Sequence, residues 1–417
     1  MEMTIEEKIC GMKMYKLGDL CSDVVDCPHS TPEWKNEGIR VIRNFNIVNG
    51  SLDFSNGFFV DEETFEKRTQ RACPEFEDLV ISREAPMGAV CMIPENLKCC
   101  LGQRLVLLKI NKELADSNYI LFAIQSQFVQ KQIQIIDQTG SIVSNLNIPD
   151  LKSLRIPLPS LPEQKKIACV LSALDDKIAL NKKMNQKLEA MAKRLYDYWF
   201  VQYDFPDKNG HPYKTTGGPM TYNLTLKREI PAGWDDGVLS DIANITMGQS
   251  PDGASYNEDG EGMIFYQGST DFGMRFPTVR QYTTAPTRFA KKGDILMSVR
   301  APVGAVNIAN TDCCIGRGLS ALNSKLGSLS HLYFLIDVFK KTFENKNTVG
   351  TTFGSITKDE LYALPVVIPD KSVIEQFEKM AKPIFDRQMK LGEESNRLTK
   401  LRDKLLPLLM NGQVLVG

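Results

Sequence analysis

Much of this chain is written twice, and that repetition constrains its fold more than any other feature. From Asp78 it reads DLVISREAPMGAV, and from Asp294 it reads DILMSVRAPVGAV. CCLGQRL from Cys99 returns as CCIGRGL from Cys313. TGSIVSNLNIPDLKSLRIPLP (139–159) returns as VGTTFGSITKDELYALPVVIP (349–369). Glu163-Gln164 and Glu375-Gln376 then each open a long helical pattern. Four matches in one order, offset by about 210–216 positions, mean two copies of one globular unit, each followed by a helix. At 417 residues, each copy is large enough to bury its own core.

Within a copy the texture is of short strands between turns. RVIRNFNI, DLVISRE, CLGQRLVLLKI and SLRIPLP are apolar, β-branched runs bounded by Gly, Pro, Asn and Asp. A helical stretch at 118–133 interrupts them, with a counterpart beginning near Leu329. The fold class expected is α/β of the α+β kind, with twisted, mostly antiparallel sheets. The expected organisation is a first globular domain (1–158), a central helix (159–203), an extended linker rich in Pro and Gly (204–230), a second domain (231–369) and a C-terminal helix (370–417).

The two helices carry heptad seams. Leu174, Ile178, Asn181, Asn185, Leu188, Ala192 and Leu195 alternate by four and three. Ile374, Phe377, Ala381, Ile384, Gln388, Leu391, Ser395 and Leu398 do the same, again with a polar middle. Such a stripe wants one partner helix, and each has an obvious one in the other. An antiparallel pair would hold the two domains at opposite ends of a rod, about 57 Å long for a helix of about 38 residues. The competing arrangement, each helix lying on its own domain, leaves too much of so long a seam uncovered.

Composition removes several functions. Fifty basic and 51 acidic residues give a net charge of −1, so bulk positive charge does not drive nucleic-acid binding; a local basic groove remains open. No run approaches the ~18 apolar residues of a membrane span, and three Glu among the first 11 residues do not suit a signal peptide. The expectation is a cytoplasmic protein. The ten Cys lack C-x-x-C spacing, and Cys99-Cys100 and Cys313-Cys314 read as small buried hydrophobes on strands. With only three His, no metal site is indicated. No Gly precedes a Lys, which excludes a P-loop, and no two Pro are adjacent, which excludes the Asn/Asp-Pro-Pro-aromatic motif of amino-methyltransferases. Neither GEG nor GRG extends to a dinucleotide fingerprint. The chain reads as non-catalytic.

LPEQKKIACVLSALDDKI, then RLYDYWFVQYDFPD with GHPYKTTGG, and IPAGW opening the second half, resemble the specificity subunit of type I DNA restriction–modification systems. The likeness spans almost the whole chain. The second helix departs from it, opening DKSVIEQFEKM without Pro before Glu-Gln and with Phe377 where the first has Lys165. The resemblance implies that each domain reads half of a bipartite double-stranded DNA site while the helices set the spacing. It implies docking of two methyltransferase subunits and two restriction subunits. S-adenosylmethionine, ATP and Mg²⁺ would belong to those partners, with no cofactor in this chain. The competing functions are a coiled-coil scaffold with degenerate domains and a self-contained methyltransferase or nuclease.

Reading bases takes directional donors and acceptors on loops. Each copy offers three candidate segments. They are Arg43, Asn44 and Asn46 opposite Gln267 and Ser269; Ser82 and Arg83 opposite Ser298 and Arg300; and Gln103 and Arg104 opposite Arg317. Polar loops holding Ser141 and Thr351 are candidate phosphate binders through backbone N–H groups. The repeated Ala85-Pro86, Gly88 and Gly102 are expected to fix turns. Domains that read different half-sites must differ where they read, which favours the Arg43/Gln267 pair; Arg317 stands between a phosphate contact and a buried ion pair. For partners, the candidates are Glu163, Gln164, Tyr196, Trp199 and Phe200, the aromatic group being either an interface anchor or a plug where helix meets linker. Lys182, Lys183, Lys187, Lys193 and Arg194 read as a solvated face.

Overall fold

A computed structural model describes residues 12–84, 86–139, 145–273, 275–348, 354–414 and 416. The chain divides into two units, Met1–Ile178 with Arg397–Gly417, and Ala179–Asn396. The long helices, Leu161–Tyr196 and Lys371–Met410, are therefore not modules of their own. Each contributes one stretch to each unit.

In the first unit an antiparallel sheet runs in the order Cys21–Asp26, Leu105–Ile110, Leu79–Ser82, Val90–Met92. Its middle strands are apolar without alternation because both faces are covered. Leu79, Ile81, Val106 and Leu108 point into a core shared with helix Ser117–Gln125 and the long helices. Val80, Leu105 and Leu107 point the other way, against a sheet of Phe58–Val60, Ile39–Ile42 and Cys99–Leu101. The side-chain period of two sorts one strand into two cores. Strand Lys13–Lys16 pairs with Arg155–Leu158 and closes the unit.

The second unit repeats this plan. Its antiparallel sheet is Ala243–Met247, Leu319–Ser324, Ile295–Ser298, Val306–Ile308. Ile295 and Met297 face one core and Leu296 faces the other. The closing pair is Asp235–Val238 with Pro365–Ile368. Gly88 (φ +82°) and Gly304 (φ +84°) sit at the same point of the repeated turn, where a β-carbon would be strained, and donate to Ser82 and Ser298 carbonyls at 2.9 Å. Both Cys pairs lie fully buried on strands. Burial pushes the Cys99 and Cys313 thiols up to about 12.

The long helices run antiparallel. Within the second unit Asn181 Nδ2 donates to Glu394 at 2.9 Å and Gln388 Nε2 to the Asn185 carbonyl at 3.2 Å, so positions rise on one helix as they fall on the other. The expected polar middle of the seam is buried: Asn181, Asn185 and Gln388 are all inside. In the first unit Arg402 Nη1 meets Asp175 at 2.9 Å. Residues 204–230 are more than an extended linker. Phe205 stacks on Trp234 at 5.0 Å, and Met220–Asn223 forms a hairpin with Arg228–Pro231.

The second core holds His331, packed edge-on against Phe200 at 4.6 Å, and burial lowers its pKa to about 3. An unfolded His takes a proton near pH 6.5, so this neutral imidazole favours the folded state above that pH. That advantage fades as pH falls from 6.5 toward 3, at about 1.4 kcal/mol per pH unit. Replacing His331 with Met should remove about 2 kcal/mol of the stability lost between pH 7 and pH 5. Urea melts followed by Trp199 and Trp234 fluorescence would measure it; equal acid sensitivity in both proteins would show that His331 is not the titrating group.

Candidate nucleic-acid interface

Among the described residues one strand pair in each unit is parallel, Ile39–Ile42 with Cys99–Leu101 and Met263–Tyr266 with Cys313–Ile315. Parallel pairing brings both C-terminal strand ends to the same edge. That edge gathers two of the three candidate segments. Gly102 N–H donates to the Ile42 carbonyl at 2.7 Å, setting Gln103 and Arg104 beside Arg43. Gly316 N–H donates to the Tyr266 carbonyl at 2.8 Å and Gly318 N–H to the Gln267 carbonyl at 3.3 Å, wrapping Arg317 around Gln267.

The two edges carry different chemistry. In the first unit the Arg43 guanidinium lies over Phe58 at 4.8 Å, Phe45 at 5.1 Å and Trp34 at 5.5 Å. No ion pair engages it among the described residues. The rings occupy its faces and fix its plane, while stacking uses none of its N–H donors. Beside it Phe45 is 42% exposed, and Asn44 is half-buried in the same turn. In the second unit the exposed Gln267 amide donates to Ser250 Oγ at 3.3 Å, and the same oxygen accepts from the Arg317 N–H at 3.3 Å. Arg317 is exposed with no ion pair among the described residues, so the buried-pair alternative falls. Ser269 opens a short 3-10 turn and is half-buried.

Other candidates are held by the fold itself. Asn46 is buried; its Oδ1 accepts from the Arg43 N–H at 3.0 Å and its Nδ2 donates to Asp53 and Asn56 carbonyls at 2.9 and 3.1 Å. Ser82 is wholly buried, donating to the Pro86 carbonyl and accepting from Ala89 N–H, and buried Ser298 donates to the Arg300 carbonyl at 2.6 Å. Arg83 gives Nη1 to both Asp26 oxygens at 3.0 and 2.9 Å and Nε to the Leu146 carbonyl at 2.9 Å. These four organise loops, and the fold itself takes up their polar groups. Gln103 donates to the His29 carbonyl and Thr31. Arg104 pairs with Glu84 at 3.0 Å yet stays half exposed, and Arg300 is exposed. Ser141 and Thr351 lie outside the described residues.

The partner candidates change more. Gln164 is 1% exposed, accepting from Asp116 N–H at 2.9 Å and donating to Leu114 and Pro159 carbonyls, which locks the helix start to its own unit. Glu163 is exposed and caps the helix, accepting from Ser160 N–H at 3.1 Å and Oγ at 2.7 Å, which holds its carboxyl below the usual range. Tyr196, Trp199 and Phe200 are the plug: all three are buried in the second core, with Phe200 against Phe377 at 4.9 Å. Tyr198 of the same aromatic cluster stays outside the plug, beside two exposed methionines, Met191 and Met380, that the sequence did not single out. Met191, Tyr198 and Met380 are 61%, 39% and 51% exposed and, with Leu195 and Ile384, line a groove of about 560 Å³. Off-seam apolar positions on the two heptad helices were the signal. Lys182, Lys183, Lys187 and Arg194 are exposed, while Lys193 meets Asp337 at 3.1 Å.

A family model described as the type I restriction modification DNA specificity domain matches residues 10–190 and again 231–403. The chain is 33% identical over 342 residues to the type I restriction enzyme MjaX specificity subunit of Methanocaldococcus jannaschii, covering 81% of this chain and 77% of that one. It is 20% identical over 371 residues to the HindI specificity subunit of Haemophilus influenzae, covering 75% and 81%. The crystal structure of an S subunit from M. genitalium superposes with a TM-score of 0.59 at 17% identity over 96% of each chain, a likeness of fold.

Replacing Arg43 with Ala should weaken binding to the specific sequence by about 1–3 kcal/mol with little change in salt slope, and Arg43→Lys should rescue little because it lacks the planar fork. Titrations on specific and random duplexes at several salt concentrations decide it. A uniform loss on all DNA, with a slope smaller by about one, would make Arg43 a phosphate contact.

Proposed function

Because the chain belongs to the type I restriction–modification DNA specificity family, whose members are non-catalytic recognition subunits, we propose that its two domains read the two halves of one split duplex site. The observation that supports this most is the pair of strand-end edges, built on one topology but furnished differently: a ring-stacked Arg43 in one, Gln267 and Arg317 about Ser250 in the other. A shared scaffold with different donors is what two different half-sites require. Phosphate contacts from the exposed Arg300 and Arg317 would orient the duplex without reading it.

The long helices carry the partners in this reading. Exposed Met side chains adapt to varied partners, and an apolar groove on two paired helices suits the insertion of further helices. The groove around Met191, Tyr198 and Met380 is the surface we assign to a methyltransferase subunit. Two such subunits and two restriction subunits would complete a cytoplasmic complex. S-adenosylmethionine, ATP and Mg²⁺ would sit on those partners.

Two outcomes follow. Exchanging residues 15–157 for the first domain of another family member should change one half of the methylated motif and leave the other half intact; sequencing methylated sites reads this directly, and changes in both halves would mean that the domains do not read independently. Charging the groove with Met191→Glu and Met380→Glu should lower affinity for the methyltransferase subunit at least tenfold in calorimetric titration. The folded double variant binding as tightly as the parent would remove the groove from the interface.

A further inference from the structure

Two consecutive side chains of the second domain reach into the helix pair. Arg275 and Phe276 follow the Ser269–Asp271 turn, and both are buried. Arg275 Nη2 donates to Gln388 Oε1 at 2.6 Å and to the Glu189 carboxylate. Gln388 Nε2 in turn donates to Glu189 Oε2 at 3.0 Å and to the Asn185 carbonyl at 3.2 Å. Tyr333 and Phe385 cover the guanidinium at 4.3 and 4.5 Å. Phe276 lies on Gly392, where an added β-carbon would come within 2.5 Å of its ring. Phe385, Gln388 and Gly392 are spaced three and four apart, so they form one stripe of the second long helix. Arg275 thus touches both long helices and a helix of its own domain at once.

The socket exists in a single register. Seven residues from Gln388 stand Ala381 and Ser395, and seven from Gly392 stand Phe385 and Thr399. Seven from Glu189 stand Lys182 and Tyr196. None would offer Arg275 an amide facing a carboxylate, or Phe276 a bare backbone. The seam's apolar members, such as Leu188, Ala192, Ala381 and Leu391, are far more tolerant of a shift. Buried ionic groups of this kind are poor sources of stability, and their best-attested use is to fix register. Among the described residues the first domain has no such insertion at the matching turn. There Gly50 packs against Gln125 of its own helix.

We propose that Arg275 and Phe276 form a register pin: positioning residues that seat the second domain at one place on the helix pair and so restrict recognition to one spacer length. The proposal rests on the split-site reading above. Neither residue touches DNA in it, so their loss should leave both half-site sequences unchanged and alter only the spacing tolerated between them.

The test uses the full chain in its methyltransferase complex and a library in which the half-sites are constant and the spacer varies. One variant replaces the polar socket by apolar groups (Arg275→Met, Glu189→Leu, Gln388→Leu), and a second, Gly392→Ala, displaces Phe276 with a better helix former. Folding is checked by circular dichroism. Preference for the native spacer over spacers one base pair longer or shorter should fall at least tenfold in either folded variant, with both half-sites retained. Native spacer preference in a folded variant overturns the pin. Altered half-site sequences would also overturn it, by making the residues part of the reading surface. A wild-type complex that selects one continuous motif overturns the split-site reading and the pin with it.

Discussion

Both cores depend on being closed by the far end of a helix that starts elsewhere. Leu409 and Met410, at the end of the second long helix, are buried among Leu17, Leu20 and Ile167 of the first unit. Trp199 and Phe200, at the end of the first, are buried beside Phe377 and Trp234 of the second. Each such side chain contributes about 2–3 kcal/mol by leaving water. Neither unit is complete without residues that lie far away in sequence, so the two halves of the duplication cannot be cut apart between helix and domain.

On that frame the sheets do little chemistry and much positioning. Their middle strands are buried on both faces, so the exposed donors at the strand ends come from the outward loops. The parallel strand pair found in each unit decides which loops meet. In the proposed reading, divergence at that edge alters what a domain reads without touching what holds it together, because the constant parts, Ser82 with Gly88 and Ser298 with Gly304, are tied by backbone bonds behind it.

The helix seam shows the opposite economy. Asn181, Asn185, Gln388 and Glu189 bring polar groups into a place where leucines would pack with more stability. The hydrogen bonds that Asn181 and Gln388 donate across the seam are directional, so they form only in one alignment, and Arg275 adds a third element to that alignment.

The duplication, the α+β class, the strand runs, the turn glycines, the buried cysteine pairs and both heptad seams with their polar middles were legible in the sequence, because each depends on local periodicity or backbone conformation. That Arg43 and Gln267 stand at matching strand ends was legible too, since copies on a common scaffold show their differences in alignment. Burial was not. Gln164 and the exposed Gln376 look alike in sequence, yet only Gln164 is enclosed, by Asp116, Leu114 and Pro159. Asn46, Ser82, Ser298 and Arg83 have the donors of base readers, and only tertiary structure shows those donors consumed by Asp53, Pro86, Arg300 and Asp26. An aromatic cluster is apolar whether it faces a partner or a core; the fold sent Trp199 and Phe200 inward and left Met191 and Met380 outside. Residue type sets what a side chain can bond to, but which partners arrive depends on contacts between distant segments, and those are fixed only when the whole chain packs.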